Sequence, residues 1–291
     1  MNRGAHKLAY IKPEPEEDTE EEFKLSDVQP VIKAGRYQYN PYLLSKEAIR
    51  SFGEDFSAFY KGFLTAYMNY ETSCYCPDVE CARRICMILT YECPFYADGD
   101  IDLNWAANYD YSADRLSWTY QVDKNTLQTR IRQIADIMQS FLNQIKPTDD
   151  EADKIQTLYH AFCPLMSYDY DRAVTREKTD GCYALLEHRG ICVTFSYVFA
   201  QILAQSDIDA AIASGVMSDG ESHVWNYACI NGQCYFFDTT FELNYHSGNA
   251  FVYYGMTLDE RLASGAQADL TWLGRYQDYK LATAEIHLNL R

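Results

Sequence analysis

Apolar residues recur at every third and fourth position in "FSAFYKGFLTAYMNY" and, more regularly, in "LQTRIRQIADIMQSFLNQI", so the chain from about Tyr37 to Ile145 reads as mostly helical. Between these stretches "RLSWTYQV", from Arg115, alternates like a strand. Pro147 breaks the pattern, and Thr148 ahead of Asp149, Asp150 and Glu151 reads as a helix start. Further on, Phe195, Val198, Phe199, Ile202 and Leu203 mark one face of a helix that begins at or just before Cys192. Last comes "SHVWNYACINGQCYFFDTT", two alternating runs joined by Asn231-Gly232, the signature of a two-residue hairpin loop. The expected organisation is a disordered arm over 1–35, a mostly helical region over 36–147, and a domain over 148–291 that carries the hairpin. No internal repeat is found.

Composition narrows the classes of function. A chain of 291 residues with 47% hydrophobic content can bury a sizeable core. The formal charge of −17 leaves no basic field for nucleic acid or an anionic membrane. The acidic, proline-punctuated "PEPEEDTEEE" has almost nothing to bury and is expected to be a solvated arm. No stretch reaches the roughly 18 apolar residues of a spanning helix, and the start lacks an apolar signal core. The expectation is a soluble, cytoplasmic protein; the alternative is a secreted one whose leader has been removed. Ten cysteines are too few for a disulfide scaffold of this length. Cys74, Cys76, Cys81, Cys86 and Cys93 lack paired metal-ligand spacing and a nearby histidine, so packing as small apolar groups is favoured over zinc.

The hairpin carries the first candidate chemistry. A two-residue loop at Asn231-Gly232 would oppose Ile230 to Gln233, Cys229 to Cys234, Trp225 to Asp238 and His223 to Thr240. Side chains alternate, so His223, Trp225, Tyr227 and Cys229 share a face with Cys234, Phe236, Asp238 and Thr240. His223 and Asp238 are then diagonal neighbours about 7–8 Å apart at the backbone, within reach of each other's side chains. The carboxylate can orient the ring and leave its second nitrogen to act as a base. One metal cannot use this face, because His223 and Cys229 are separated by roughly 20 Å of strand. Cys229 and Cys234 either bridge or simply pack.

A nucleophile is found upstream. In the first turn of its helix, Cys192 lies at unpaired N–H groups and the positive end of the helix dipole, which favour a thiolate and can hold an oxyanion. Taken singly, such a cysteine, histidine or aspartate is more often a packing, polar or turn residue. The order Cys192, His223, Asp238 is far more specific.

These residues carry a family resemblance. Gly190-Ile191-Cys192, His223-Val224-Trp225 and Asp238-Thr239-Thr240, within "ALLEHRGICVTFSYVFAQILAQSDIDAAIASG" and the hairpin, resemble the core of the transglutaminase-like superfamily of papain-type cysteine enzymes, especially its bacterial members. "DEADKIQTLYHAFCPLMSYDYD" resembles the helix leading into that core, and "FVYYGMTLDERLASG" the segment following it. The resemblance implies an α+β fold, a nucleophile helix packed on an antiparallel sheet. It further implies that Cys192 is the nucleophile, His223 the general base and acid, and Asp238 the residue that orients it. Trp225 and Tyr183 are candidate substrate contacts, Tyr183 also as a second oxyanion donor. Val193, where relatives often have a small residue, is expected to narrow the approach.

The implied chemistry is acyl transfer from an amide through a thioester. Hydrolysis of a peptide or protein substrate is favoured; amine transfer by a transglutaminase, and a non-catalytic binding module, are the alternatives. No metal or organic cofactor is required. The acidic arm is a candidate cover for the cleft.

Overall fold

The structure, a computed structural model, describes residues 23–175, 180–243 and 251–267. The run "PEPEEDTEEE" lies outside the described residues. Residues 23–35, reckoned to the arm from sequence, include a helical turn at Leu25–Val28 and the first strand of a small hairpin, β1 (Val31–Lys33) with β2 (Arg36–Gln38). Val28 anchors this stretch by burying its side chain completely in the core.

The helical region contains α1 (Lys46–Phe52), α2 (Glu54–Met68), α3 (Val79–Glu92) and α4 (Lys124–Leu142). Short strands β3 (Ser73–Tyr75), β4 (Ile101–Asp102), β5 (Tyr109–Asp110), β6 (Arg115–Ser117) and β7 (Thr119–Tyr120) interrupt it. The "RLSWTYQV" segment is thus two strands rather than one. They pair with different partners on either side of Trp118, whose ring is buried against Phe63. Asp123 starts α4 by accepting the N–H groups of Asn125 and Thr126, and Leu127, Ile134, Met138, Phe141 and Leu142 form its buried stripe. The next helix, α5 (Glu151–Phe162), begins after Asp150 rather than Thr148. The carboxylate of Asp150 accepts the Asp153 N–H, and the acidic first turn complements the helix dipole.

Beyond α5 come β8 (Ser167–Tyr168), α6 (Tyr170–Thr175), α7 (Gly181–Glu187), β9 (Arg189–Gly190) and the helix that begins at Cys192, α8 (Cys192–Gln205). An antiparallel sheet follows, formed by β10 (Asp209–Met217), β11 (Ser222–Ile230) and β12 (Gln233–Phe237). Two short helices, α9 (Thr239–Glu242) and α10 (Leu258–Ala263), then precede β13 (Ala266–Gln267), and the sheet order is β12-β11-β10-β13. Fold and topology are α+β, with α8 as the central helix. Alternation along β11 divides its side chains between two apolar layers. Ala228 and Ile230 join the large core with α2, α3, α4, α5 and α8, whereas Trp225 and Tyr227 join a smaller one with Phe236 and Met256.

The hairpin register agrees with the sequence reading from Asn226↔Phe237 to Ile230↔Gln233, with Cys229 opposite Cys234. Both loop residues have positive φ, 51° at Asn231 and 80° at Gly232, as a type I′ turn demands. The ladder stops one pair short of Asp238. That residue caps α9 instead of closing the strand.

Gly190 is required for a different reason, close approach. A Cβ there would lie 3.0 Å from the Phe195 ring and 3.2 Å from Thr194 Cβ, inside the first turn of α8. Phe195 is fully buried and has no room to retreat. Gly190→Ala is expected to destabilise the fold by about 1–3 kcal/mol in denaturant unfolding; an unchanged midpoint and slope would show that the turn is not packed this tightly.

Candidate active site

The site is assembled from three chain segments. α8 supplies Cys192 at its first position. Ile191, the cap residue, offers no side-chain acceptor, so the first-turn N–H groups remain available to an oxygen bound at the thiol. The helix is fixed to β11 by Asn226, whose side-chain N–H donates to the Ser196 carbonyl at 2.8 Å, and Ser196 Oγ donates to the Cys192 carbonyl at 2.9 Å. A fully buried polar residue on a core strand thereby sets where the thiol emerges.

His223, second in β11, is hydrogen-bonded to Asp238 and shares the lining of one cleft with Cys192, whose thiol acts on its ring electrostatically. Its Nε2 lies 2.8 Å from Asp238 Oδ2, leaving Nδ1 for the thiol. The imidazole lies nearly parallel to the Phe241 ring, with centroids 4.4 Å apart, and has Trp225 at 5.9 Å. Asp238 is completely buried, and its two oxygens divide their work. Oδ1 accepts the N–H groups of Thr240 and Phe241 at 3.1 and 3.0 Å, while Oδ2 meets His223 and also Arg261 at 2.9 Å. Cys192, His223 and Asp238 are thus brought together at one cleft.

Above them is a cleft of about 160 Å³, lined on one side by Tyr168 and Tyr170 and on the other by Met217, Asp219, Glu221 and Phe241. The two tyrosines are held there by backbone pairing: β8 runs parallel to β9, placing Tyr168 beside Gly190, and the Asp169 N–H donates to the Gly190 carbonyl at 2.8 Å. The buried Asp169 carboxylate is in turn paired with Arg172 and Arg189. A slightly larger hollow of about 190 Å³, bounded by residues such as Pro30, Leu44 and Asp207, contains no nucleophile and lies away from this chemistry.

Both expected substrate contacts need correction. Trp225 is fully buried, stacked beneath the Arg261 guanidinium at 4.2 Å, so it supports the site from behind and presents no surface to a substrate. Tyr183 lies in α7, with its N–H on Asp180 and its ring against the guanidinium of Arg172, and it does not border the cleft. Both residues had plausible positions in sequence, but strand alternation and helix register turn them towards other partners. Val193 is also absent from the cleft walls.

Arg261 was not singled out from sequence, and neither were Tyr168, Tyr170 and Phe241. A signal for Arg261 existed. Thr257 and Glu260 form a capping box that starts α10, and Arg261 falls three residues after Leu258 on the stripe that faces the smaller apolar layer. A charge in that place needs a buried counter-ion.

Cys229 and Cys234 form a cross-strand disulfide, the bridging outcome of the two left open. The other eight cysteines are free thiols, and Cys74, Cys76, Cys81 and Cys93 are buried. Among the described residues no cluster of side chains fits a metal ion, and no helix is long and apolar enough to cross a membrane.

Residues 139–239 match the family model of the transglutaminase-like superfamily. The match takes in Cys192, His223 and Asp238 and ends before Arg261. Among solved structures, the chain is similar to a TGase (18% identity, TM-score 0.34, 45% of this chain and 35% of that one). It is also similar to a candidate cysteine protease of Cytophaga hutchinsonii (15%, 0.30, 41% and 43%) and a candidate protease of Parabacteroides distasonis (12%, 0.31, 42% and 27%). The chain spans less than half the length of each of these three. No curated protein matches it.

The electrostatics of the imidazole give a pH signature. Burial pulls His223 down, but its bond to Asp238 and the charges of Asp238 and Cys192 outweigh burial and lift it from 6.5 to about 9. A histidine that binds its proton more tightly when folded stabilises the fold fully below pH 6.5, and that contribution is lost as pH rises through about 9. The margin of wild type over His223→Gln in urea unfolding is expected to be roughly 3 kcal/mol larger at low pH than above pH 9. A margin constant across that range would contradict the charged relay.

Proposed function

We propose, from the transglutaminase-like core formed by residues 139–239, that this chain is a cysteine-dependent enzyme that breaks amide bonds, with peptides or proteins as substrates and water as the usual acceptor. The observation that carries the reading is that His223, bonded to a buried carboxylate, lines the same cleft as the Cys192 thiol. We assign the chemistry to residues 148–267, with the helical region 36–147 as its packing support.

In the proposed reaction, the Cys192 thiolate attacks the amide carbonyl while the developing oxyanion takes the first-turn N–H groups of α8. The imidazolium of His223 passes its proton to the leaving amine as the C–N bond breaks, which leaves a thioester on Cys192 and a neutral imidazole. That imidazole then removes a proton from water, whose oxygen attacks the thioester and releases the acid. Asp238 keeps the ring in the orientation that serves both steps. Hydrolysis is favoured over amine transfer because the mouth of the cleft is open to solvent: Tyr170 at its rim is 70% exposed and does not seal the thiol from water.

A mixed peptide library incubated with the protein, with and without an added primary amine, separates the readings by mass spectrometry. Products that gain water, absent with Cys192→Ala and at least about 100-fold slower with His223→Ala, are expected. Products that carry the amine instead would make the protein a transferase. No turnover of either kind, in a chain with an unreactive Cys192, would identify a binding module.

A further inference from the structure

Arg261 is the largest charged side chain with no exposed surface in the described chain, and it lies outside the Gly-x-Cys, His-x-Trp and Asp-x-Thr motifs that hold Cys192, His223 and Asp238. Its guanidinium reaches Asp238 Oδ2 at 2.9 Å, the same oxygen that receives His223 Nε2 at 2.8 Å. It is held in place by stacking over Trp225 at 4.2 Å and by a bond from Nη1 to Ser264 Oγ at 3.2 Å. Two cationic donors on one carboxylate oxygen lie within about 6 Å of each other and compete for its charge.

We propose that Arg261 is a positioning residue for the reaction, which shares Asp238 with His223, fixes the plane of that carboxylate and limits how tightly His223 keeps its proton. The inference rests on the enzymatic reading above. The charge balance of the site leads to it. With Arg261 neutralising Asp238, the remaining pair, imidazolium and thiolate, is itself neutral. Without Arg261, a buried carboxylate would face His223 alone and hold the proton on the ring, where the second half of the reaction needs that ring as a base. The titratable and charged groups around His223 are Asp238, which bonds its ring, and Cys192, Asp219, Glu221, Tyr168 and Tyr170, which line the same cleft. Behind Asp238 stand Glu242, Tyr159 and Tyr253, linked to one another by hydrogen bonds. Arg261 is the cation among them that binds the Asp238 carboxylate.

Arg261→Gln keeps a donor and removes the charge; Arg261→Lys keeps the charge and removes the fork. The His223 ring, followed by carbon-detected nuclear magnetic resonance with labelled histidine and assigned by the His223→Gln spectrum, is expected to titrate about 1–2 units higher in Arg261→Gln than in wild type, and within about half a unit of wild type in Arg261→Lys. With p-nitrophenyl acetate as the probe, Arg261→Gln should keep the initial burst and lose about tenfold or more in the steady rate near neutral pH, because removal of the acyl group is the step that needs a neutral imidazole. A merely structural role would shrink the burst and leave the titration alone. A folded Arg261→Gln whose His223 titrates as in wild type overturns the proposal. Should that variant not fold, Arg261→Lys decides: an upward shift of more than about a unit, with the charge still present, overturns it. Wild type showing no burst and an ordinary His223 would sink the enzymatic reading itself, an outcome distinct from either.

Discussion

A carboxylate with no exposed surface organises this molecule. Burying an ionised Asp238 costs several kcal/mol unless every lone pair is met, and four donors from three elements meet it: two backbone N–H groups of α9, the imidazole from β11 and the guanidinium from α10. Each of those elements is therefore placed by the same group. The hairpin must end where Asp238 can cap a helix, β11 must carry His223 near its start, and the chain after residue 250 must return so that α10 delivers its arginine. The thiol is positioned by α8, which is tied to β11 through Asn226 and Ser196, and His223 stands between it and the carboxylate.

That division explains why the site combines rigidity with access. The oxygen acceptors and the cation lie behind the imidazole, packed by Trp225 and Phe241, whereas the thiol side opens to a small cleft with tyrosines on one wall and carboxylates on the other. Tyr168 and Tyr170 owe their place to the parallel pairing of β8 with β9, which ties the wall of the cleft to the glycine two residues before Cys192. Gly190 is squeezed by Phe195 and Thr194 for the same reason. Strand, turn and helix are packed so closely there that position and reactivity are coupled.

Much of this was legible in the amino-acid order. The Asn231-Gly232 turn fixed the hairpin register, and with it the shared face of His223 and Asp238, because a two-residue loop with positive φ at both positions allows one pairing only. The buried stripe of α4 followed from its periodicity, whereas α8 is buried on nearly every face, beyond the one that its apolar period marked. What periodicity does not encode is the angle at which a residue leaves its element. Trp225 shares a face with His223 yet points into a packed layer, Tyr183 turns to Arg172, and Asp238 caps a helix where the strand pattern continued it. Arg261 was harder still, since 22 residues of chain separate it from the Asp238 it pairs with and it reveals itself only as a charge on an apolar stripe.

The account turns on one claim, that Cys192 and His223 act as a pair. The rate of iodoacetamide alkylation, followed cysteine by cysteine over pH with peptide mass spectrometry in wild type and in His223→Ala, measures it directly. Cys192 is expected to outpace the other free cysteines well below the ordinary thiol midpoint of about 8.5, and to lose that advantage when the imidazole is removed. A Cys192 that reacts no faster than Cys86, or equally fast with and without His223, would contradict it.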